Sequence, residues 1–212
     1  NSANLAAWNV TCLQRHVQAV RTERHVAAAA LVTASYAVLL CDVTAVFTAD
    51  PMPYLLDATR QADVLFQRDD WPADPHKVGL AVNSGFVYYR GSSSRAAEVA
   101  RLIGAAVERG LIEFYLRWNN IVDQYGWSFV LQKWATGGAT SEFANETTIG
   151  TLKRNHCMRD GACLSYGLLP WDKFPRHYKP DGAQKWAEIS PNALISHLTV
   201  PCAEPDAPRG GA

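Results

Sequence analysis

The stretch YAVLLCDVTAVFTADP, residues 36–51, drives an apolar run, Ala37 to Cys41, straight into the carboxylate of Asp42. Thr44 follows, and then a second apolar patch begins. A carboxylate is costly to bury, so an acid at the end of a buried strand must face a crevice or cap a turn. Other polar groups recur down the chain: Asp69–Asp70 before Trp71–Pro72, Asn83 and Gly85 within an apolar run, Asp123–Gln124, and His197 in SHLTV. Each has a plain structural reading taken singly. Asp42 can cap a turn, Asp69–Asp70 can be a solvated turn, Asn83–Gly85 a bulge, Asp123–Gln124 a polar helix face and His197 a hydrogen-bonded core residue. Thr44 is also an ordinary β-branched strand residue.

Five cysteines are present, at 12, 41, 157, 163 and 202. Cys41 lies in the apolar run and reads as a buried free thiol. Cys157 and Cys163 bracket MRDGA, whose Asp-Gly marks a turn, so a small-loop disulfide is expected. His156 beside Cys157 suggests half a zinc site, but the spacing matches no standard zinc pattern. Sequons stand at Asn9 and Asn145 and suit a luminal or secreted chain.

The elements that must position these residues follow from composition and periodicity. The chain has 212 residues, 48% hydrophobic and 19% charged, enough for one sizeable globular domain. Lysine plus arginine balance aspartate plus glutamate at 20 each, which leaves no overall field for nucleic acid or an anionic membrane. The short run RTER, residues 21–24, reads as a solvated helix face. No apolar run approaches the ~18 residues of a membrane span. The chain starts at Asn1 without methionine or signal peptide and reads as a trimmed luminal piece.

An alanine-rich helix is expected over 22–33 and a strand over 36–41. A turn and short helix follow in DPMPYLLDA, with Pro51 and Pro53 near its start. ADVLFQRD is a strand apolar enough to be buried on both faces. GLAVNSGFVYYR is one strand or two, broken at NSG. In SSSRAAEVARLIGAAVERG the residues Ala96, Val99, Ile103, Ala106 and Val107 form one stripe; Ser94 can cap this helix and Gly110 stop it. A longer helical region runs over 111–134, bent near Gly126. Trp118, Trp127 and Trp134 read as packing on it rather than as a sugar platform. Short strands fall in SYGLLP and ALISHLTV. Residues 1–200 form one domain and 201–212 a disordered tail. Alternating strands and helices give a mixed, largely parallel α/β sheet flanked by helices. Ligands of such sheets bind beyond the carboxyl ends of the strands, where Asp42 is expected.

In order, LLCDVTAVFTADPMPYL, ADVLFQRD, NSGFVYYR, VDQYGWSFVLQKW, LLPWDKFPRHY and LISHLTV resemble the nucleotide-diphospho-sugar transferases. The likeness runs from Tyr36 to His197 and is nearest to the plant and algal arabinosyl-, xylosyl- and galactosyltransferases of cell-wall glycoproteins and pectins. It implies a GT-A-like fold, and the family's N-terminal strand and base-binding loop are not evident before Thr22. It implies transfer of a sugar from a nucleotide diphosphate donor, such as a UDP-sugar, to a glycan or glycoprotein acceptor in the Golgi lumen or secretory pathway. No nucleic-acid partner is implied, and a membrane only through an anchor outside this chain.

The family pattern carries an Asp-x-Asp after the first of these strands, where two acids share manganese or magnesium and neutralise the departing diphosphate. The resemblance thus implies donor binding by Asp42 and Thr44, and a divalent cation on Asp42 and His197. Here Thr44 replaces the second acid and supplies only a neutral hydroxyl, which puts the cation in question. Asp50 matches the turn acid before proline and does not replace it. Asp69 matches the acid lining the donor-sugar pocket, Asn83 and Gly85 the Asn-x-Gly element, and Asp123 and Gln124 the pair beneath the anomeric carbon of retaining relatives. Ser128 stands where an asparagine is often found. Two functions follow: an active glycosyltransferase, or a degenerate sugar-nucleotide-binding homologue kept as a binding or scaffold domain. Asp42, Asp69, Gln124 and His197 converging on one site would favour the first.

Overall fold

The computed structural model describes residues 19–68, 82–91, 94–117, 122–136, 148–152, 163–177 and 193–198. Asp69, both sequons and residues 201–212 lie outside them. Helix α1 covers residues 19–33. It ends as a helix closing on a left-handed residue does: the Ser35 N–H reaches the Val32 carbonyl at 2.8 Å, the Tyr36 N–H reaches Leu31 at 3.0 Å, and Ser35 has φ of 66°. Strands β1 (Val38–Cys41) and β2 (Ala45–Phe47), helix α2 (Met52–Ala58) and strands β3 (Val64–Arg68) and β4 (Val82–Tyr89) follow. Next come α3 (Ala96–Arg117) and α4 (Val122–Trp134). The remaining strands are β5 (Ala135–Thr136), β6 (Thr148–Leu152), β7 (Ser165–Leu168), β8 (Arg176–His177) and β9 (Ile195–Leu198).

Six strands form one sheet in the order β1-β4-β3-β7-β6-β5, and β2-β9-β8 form a second, three-stranded sheet. The mixed α/β architecture expected from the sequence is the one found. Its pairing differs in emphasis from a largely parallel sheet. In the large sheet only β3 and β7 pair in parallel, while β1–β4, β3–β4, β6–β7 and β5–β6 are antiparallel. A continuous apolar run reports burial on both faces and not strand direction, and β3 and β4 are buried along their whole length. Because β1 and β3 both run against β4, and β7 runs with β3, the carboxyl ends of β1, β3 and β7 point the same way.

The two faces of the sheet hold two cores. On one, Val64, Phe66, Val82, Val87 and Tyr89 pack against Ala28 and Val32 of α1, the Ala96–Val99–Ile103–Ala106 stripe of α3, and Trp127 and Leu131 of α4. On the other, Leu65, Phe86 and Tyr88 meet Leu55 of α2, Leu169 and Phe174. Trp127 is 1% exposed, and its ring lies 5.0 Å from Phe66 and 6.1 Å from Tyr89. It is core, as its helical spacing indicated. Helix α3 does not stop at Gly110 but runs a further two turns to Arg117. The reason is packing: α4 lies so close to α3 that a Cβ on Gly126 would fall 2.0 Å from the Ala106 carbonyl oxygen and 3.0 Å from the Gly110 nitrogen. Gly110 therefore belongs to a helix–helix contact, and that burial outweighs its poor helix propensity.

Candidate functional site

Asp42 follows β1 directly, at the shared carboxyl end of β1, β3 and β7. Its N–H donates to the Gly85 carbonyl at 2.7 Å, and its own carbonyl accepts from the Ala45 N–H at 3.0 Å. Asp42, Val43, Thr44 and Ala45 thus form a tight turn, with Val43 fully exposed at its tip and Thr44 half-buried. The turn redirects the chain from the large sheet into β2 of the small one. There β2 pairs antiparallel with β9, and Ala45 stands opposite His197. His197, 152 residues after Ala45 (197 minus 45), is therefore set by backbone register beside the turn that carries Asp42 and Thr44.

The Asp42 carboxylate forms an ion pair with Arg24 of α1, whose second nitrogen also donates to the Ser84 carbonyl at 3.3 Å. Arg24 was not legible as a site residue, because RTER reads as a solvated face. The signal that finds it is helical spacing: Arg24, Ala28 and Val32 lie four apart, and Ala28 and Val32 are core. Arg24 is the polar end of a buried stripe, and its side chain is only 21% exposed.

Asn83 and Gly85 lie in a single strand that is locally irregular. Phe66 pairs with Val87, yet Gln67 pairs with Asn83, so Ser84, Gly85 and Phe86 form a bulge relative to β3. This explains why NSG looks like a break although β4 is continuous. The bulge carries the Gly85 carbonyl to Asp42 and the Ser84 carbonyl to Arg24. It is held from inside: the Asn83 side-chain oxygen accepts from the Gly85 N–H at 2.8 Å, and its amide nitrogen donates to Gln67 at 2.6 Å. Gln67 in turn donates to the carbonyls of Phe174 and Pro175 at 3.1 and 3.0 Å. Asn83 is 2% exposed, and Gln67 and Arg68 are buried too. Arg68 donates to the Leu169 carbonyl at 3.1 Å; burial pulls its pKa below the ordinary arginine value, opposed by Tyr166 beside it. Gln67 and Arg68 were legible only as strand residues.

Gln124 lies in the first turn of α4 and is 8% exposed. One turn on, the Ser128 hydroxyl accepts from the N–H of Val82, at the head of β4, at 3.5 Å. This contact brings that turn of α4 to the head of β4, the end that carries Asn83, Gly85 and Asp42, with Gln124 one turn before it. Asp123 occupies the first turn of α4 in the backbone. Asp50 accepts from the Met52 N–H at 2.9 Å and closes the turn into α2.

Residues 11–102 match the family model described as nucleotide-diphospho-sugar transferase. Over those residues the chain is similar to this family. The matched segment contains Arg24, Asp42, Thr44, Asp69, Asn83 and Gly85, whereas Asp123, Gln124 and His197 lie beyond the matched residues. No curated protein and no solved structure matches the chain.

The cysteines divide as follows. Cys41 is free and exposed rather than buried, because β1 is an edge strand of its sheet. Partial desolvation, and then the Asp42 carboxylate, raise its thiol pKa, while Arg24 opposes them. Cys163 is disulfide-bonded, and Cys157, its expected partner, lies outside the described residues. Among the described residues no group of three histidine, cysteine or acidic side chains is placed to hold a metal, and no helix is long and apolar enough to cross a membrane.

Proposed function

We propose that the chain is a glycosyltransferase domain that binds a nucleotide diphosphate sugar, a UDP-sugar by preference, at the Asp42 end of the sheet. The sugar would pass to a glycan or glycoprotein acceptor in the secretory pathway. One observation carries this reading. The Asp42 turn and the Asn83–Gly85 bulge meet at one end of the sheet, the end where such folds bind ligand, and α4 reaches that end through Ser128. Asn83 and Gln67 hold the bulge's shape from below, and its Gly85 and Ser84 carbonyls in turn hold Asp42 and Arg24. A site with little freedom to reorganise is what stabilisation of a charged transition state needs. In this reading Gln124, supported by Asp123, lies beneath the sugar carbon that develops positive charge. Arg24 fixes the orientation of Asp42.

A divalent cation fits this donor set poorly. Hard cations favour several charged oxygen ligands. Here Asp42 is one carboxylate, already paired with Arg24, Thr44 is neutral, and His197 adds at most one nitrogen. No step of the mechanism is therefore routed through a metal. Thr44→Asp is expected to tighten manganese binding by about tenfold, since it adds a second charged ligand in the same turn. Calorimetric titration of both proteins checks this; equal affinity would place Thr44 outside any cation site.

The second reading, a binding or scaffold domain without turnover, is favoured by the Arg24–Asp42 ion pair together with Thr44. Incubation with a panel of nucleotide sugars and mass spectrometry of the products separates the two. Release of nucleoside diphosphate from at least one donor is expected of the enzyme. Binding without release from any donor would support the scaffold.

A further inference from the structure

The opposite end of the sheet carries a second polar site. A cavity of about 240 Å³ is lined by Arg60, Asp63, Arg90, Ser94, Arg95 and Ser165, among others. The residues come from five places in the fold, with Ser165 opening β7. Arg60 follows α2, Asp63 leads into β3, Arg90 leaves β4, and Ser94 and Arg95 lead into α3. Along β4, Arg90 is five residues from Gly85, or about 17 Å. The cavity is therefore separate from the Asp42 site.

Among the described residues its charge is unbalanced. Asp63, the one acid of the lining among the described residues, is 1% exposed and fully engaged. It accepts from Arg95 at 2.6 Å and from the N–H and hydroxyl of Ser165 at 2.8 and 3.1 Å. Arg95 is thereby neutralised and anchored. Arg60 reaches Asp57 at 3.3 Å, but both side chains are more than 70% exposed, and such pairs are worth little. Arg90 is exposed and lines the cavity, and its backbone N–H is fixed on the Asp63 carbonyl at 2.9 Å. The positive end of α3, a helix of 22 residues, opens at the same place behind Ser94 and Arg95.

We propose that this cavity is a binding site for a compact tetrahedral oxyanion, a phosphate or sulfate group, held by Arg90 and Arg60 against the start of α3. Guanidinium groups suit such anions because their N–H donors match two oxygens at once. The volume takes one such group and part of a sugar carrying it. The inference is independent of the proposed transfer reaction.

Titration calorimetry with inorganic phosphate on the wild type, Arg90→Glu and Asp42→Asn tests it, with circular dichroism to check folding. Phosphate is expected to bind the wild type and Asp42→Asn alike, and Arg90→Glu at least about tenfold more weakly. Arg60→Glu, at another exposed position, is expected to weaken binding in the same direction. A parallel titration with glucose 6-phosphate separates two sources of the anion. Tighter binding than phosphate indicates a sugar-borne group; equal or weaker binding indicates the free anion. The proposal is overturned if wild type binds neither ligand, if folded Arg90→Glu binds as the wild type does, or if Asp42→Asn alone loses binding.

Discussion

Gln124→Ala is expected to lower turnover of the preferred donor by about 10²–10³ while leaving donor affinity nearly unchanged. Gln124 is 8% exposed in the first turn of α4, one turn before the Ser128 hydroxyl that meets the head of β4. Helix α4 is itself locked onto α3 by the close approach at Gly126, and onto the sheet by Trp127. An amide mounted this rigidly can stabilise positive charge on the sugar without reorganising first, and such an interaction strengthens only as the glycosidic bond breaks. Loss of affinity would instead mark Gln124 as a group that holds the unreacted donor. A folded Gln124→Ala protein with unchanged turnover would remove it from the reaction. Single-turnover rates, measured beside binding isotherms and a melting curve, distinguish these outcomes.

Asp63→Ala is expected to cost about 3 kcal/mol of stability, toward the lower end of what breaking a buried ion pair costs. Asp63 ties four elements together. Its carboxylate takes Arg95 at the start of α3 and both donors of Ser165 in β7, and its backbone joins β3 to β4 and β7 through Arg90 and Ser165. Without the carboxylate, the Ser165 N–H and the Arg95 guanidinium lose their acceptor together. The Arg95 side chain is 28% exposed, so water recovers part of that loss. For a chain of this length the melting point should fall by roughly 6–12 °C. Asp63→Asn, which keeps an acceptor for Ser165, should fall by less. Equal melting points for wild type and Asp63→Ala would mean that these contacts contribute nothing net.

The sequence announced what local patterns determine. The α3 stripe, the α2 turn closed by Asp50 and the doubly buried β3 follow from periodicity and turn chemistry within a few residues. Asp42 at a strand end was legible for the same reason, since an acid closing an apolar run has few places to go. What was not legible depends on partners distant in the chain. Arg24 meets Asp42 across 18 residues, Asp63 meets Arg95 across 32, and Asp63 meets Ser165 across 102. Nothing local to RTER or to QADV marks either pairing. Strand direction was hidden likewise, because burial of both faces leaves the same apolar run in a parallel or an antiparallel strand. Gly110 misled as a helix stop because its reason for being small is α4, which packs against it from a later part of the chain.

The central claim is that a nucleotide diphosphate sugar binds at the Asp42 end of the sheet. Titration calorimetry of a UDP-sugar into the wild type and into Asp42→Ala tests it most directly, with Arg90→Glu as the control at the far end of β4. The account predicts saturable binding by the wild type and by Arg90→Glu, and at least about tenfold weaker binding by folded Asp42→Ala. Equal binding by wild type and Asp42→Ala would contradict it.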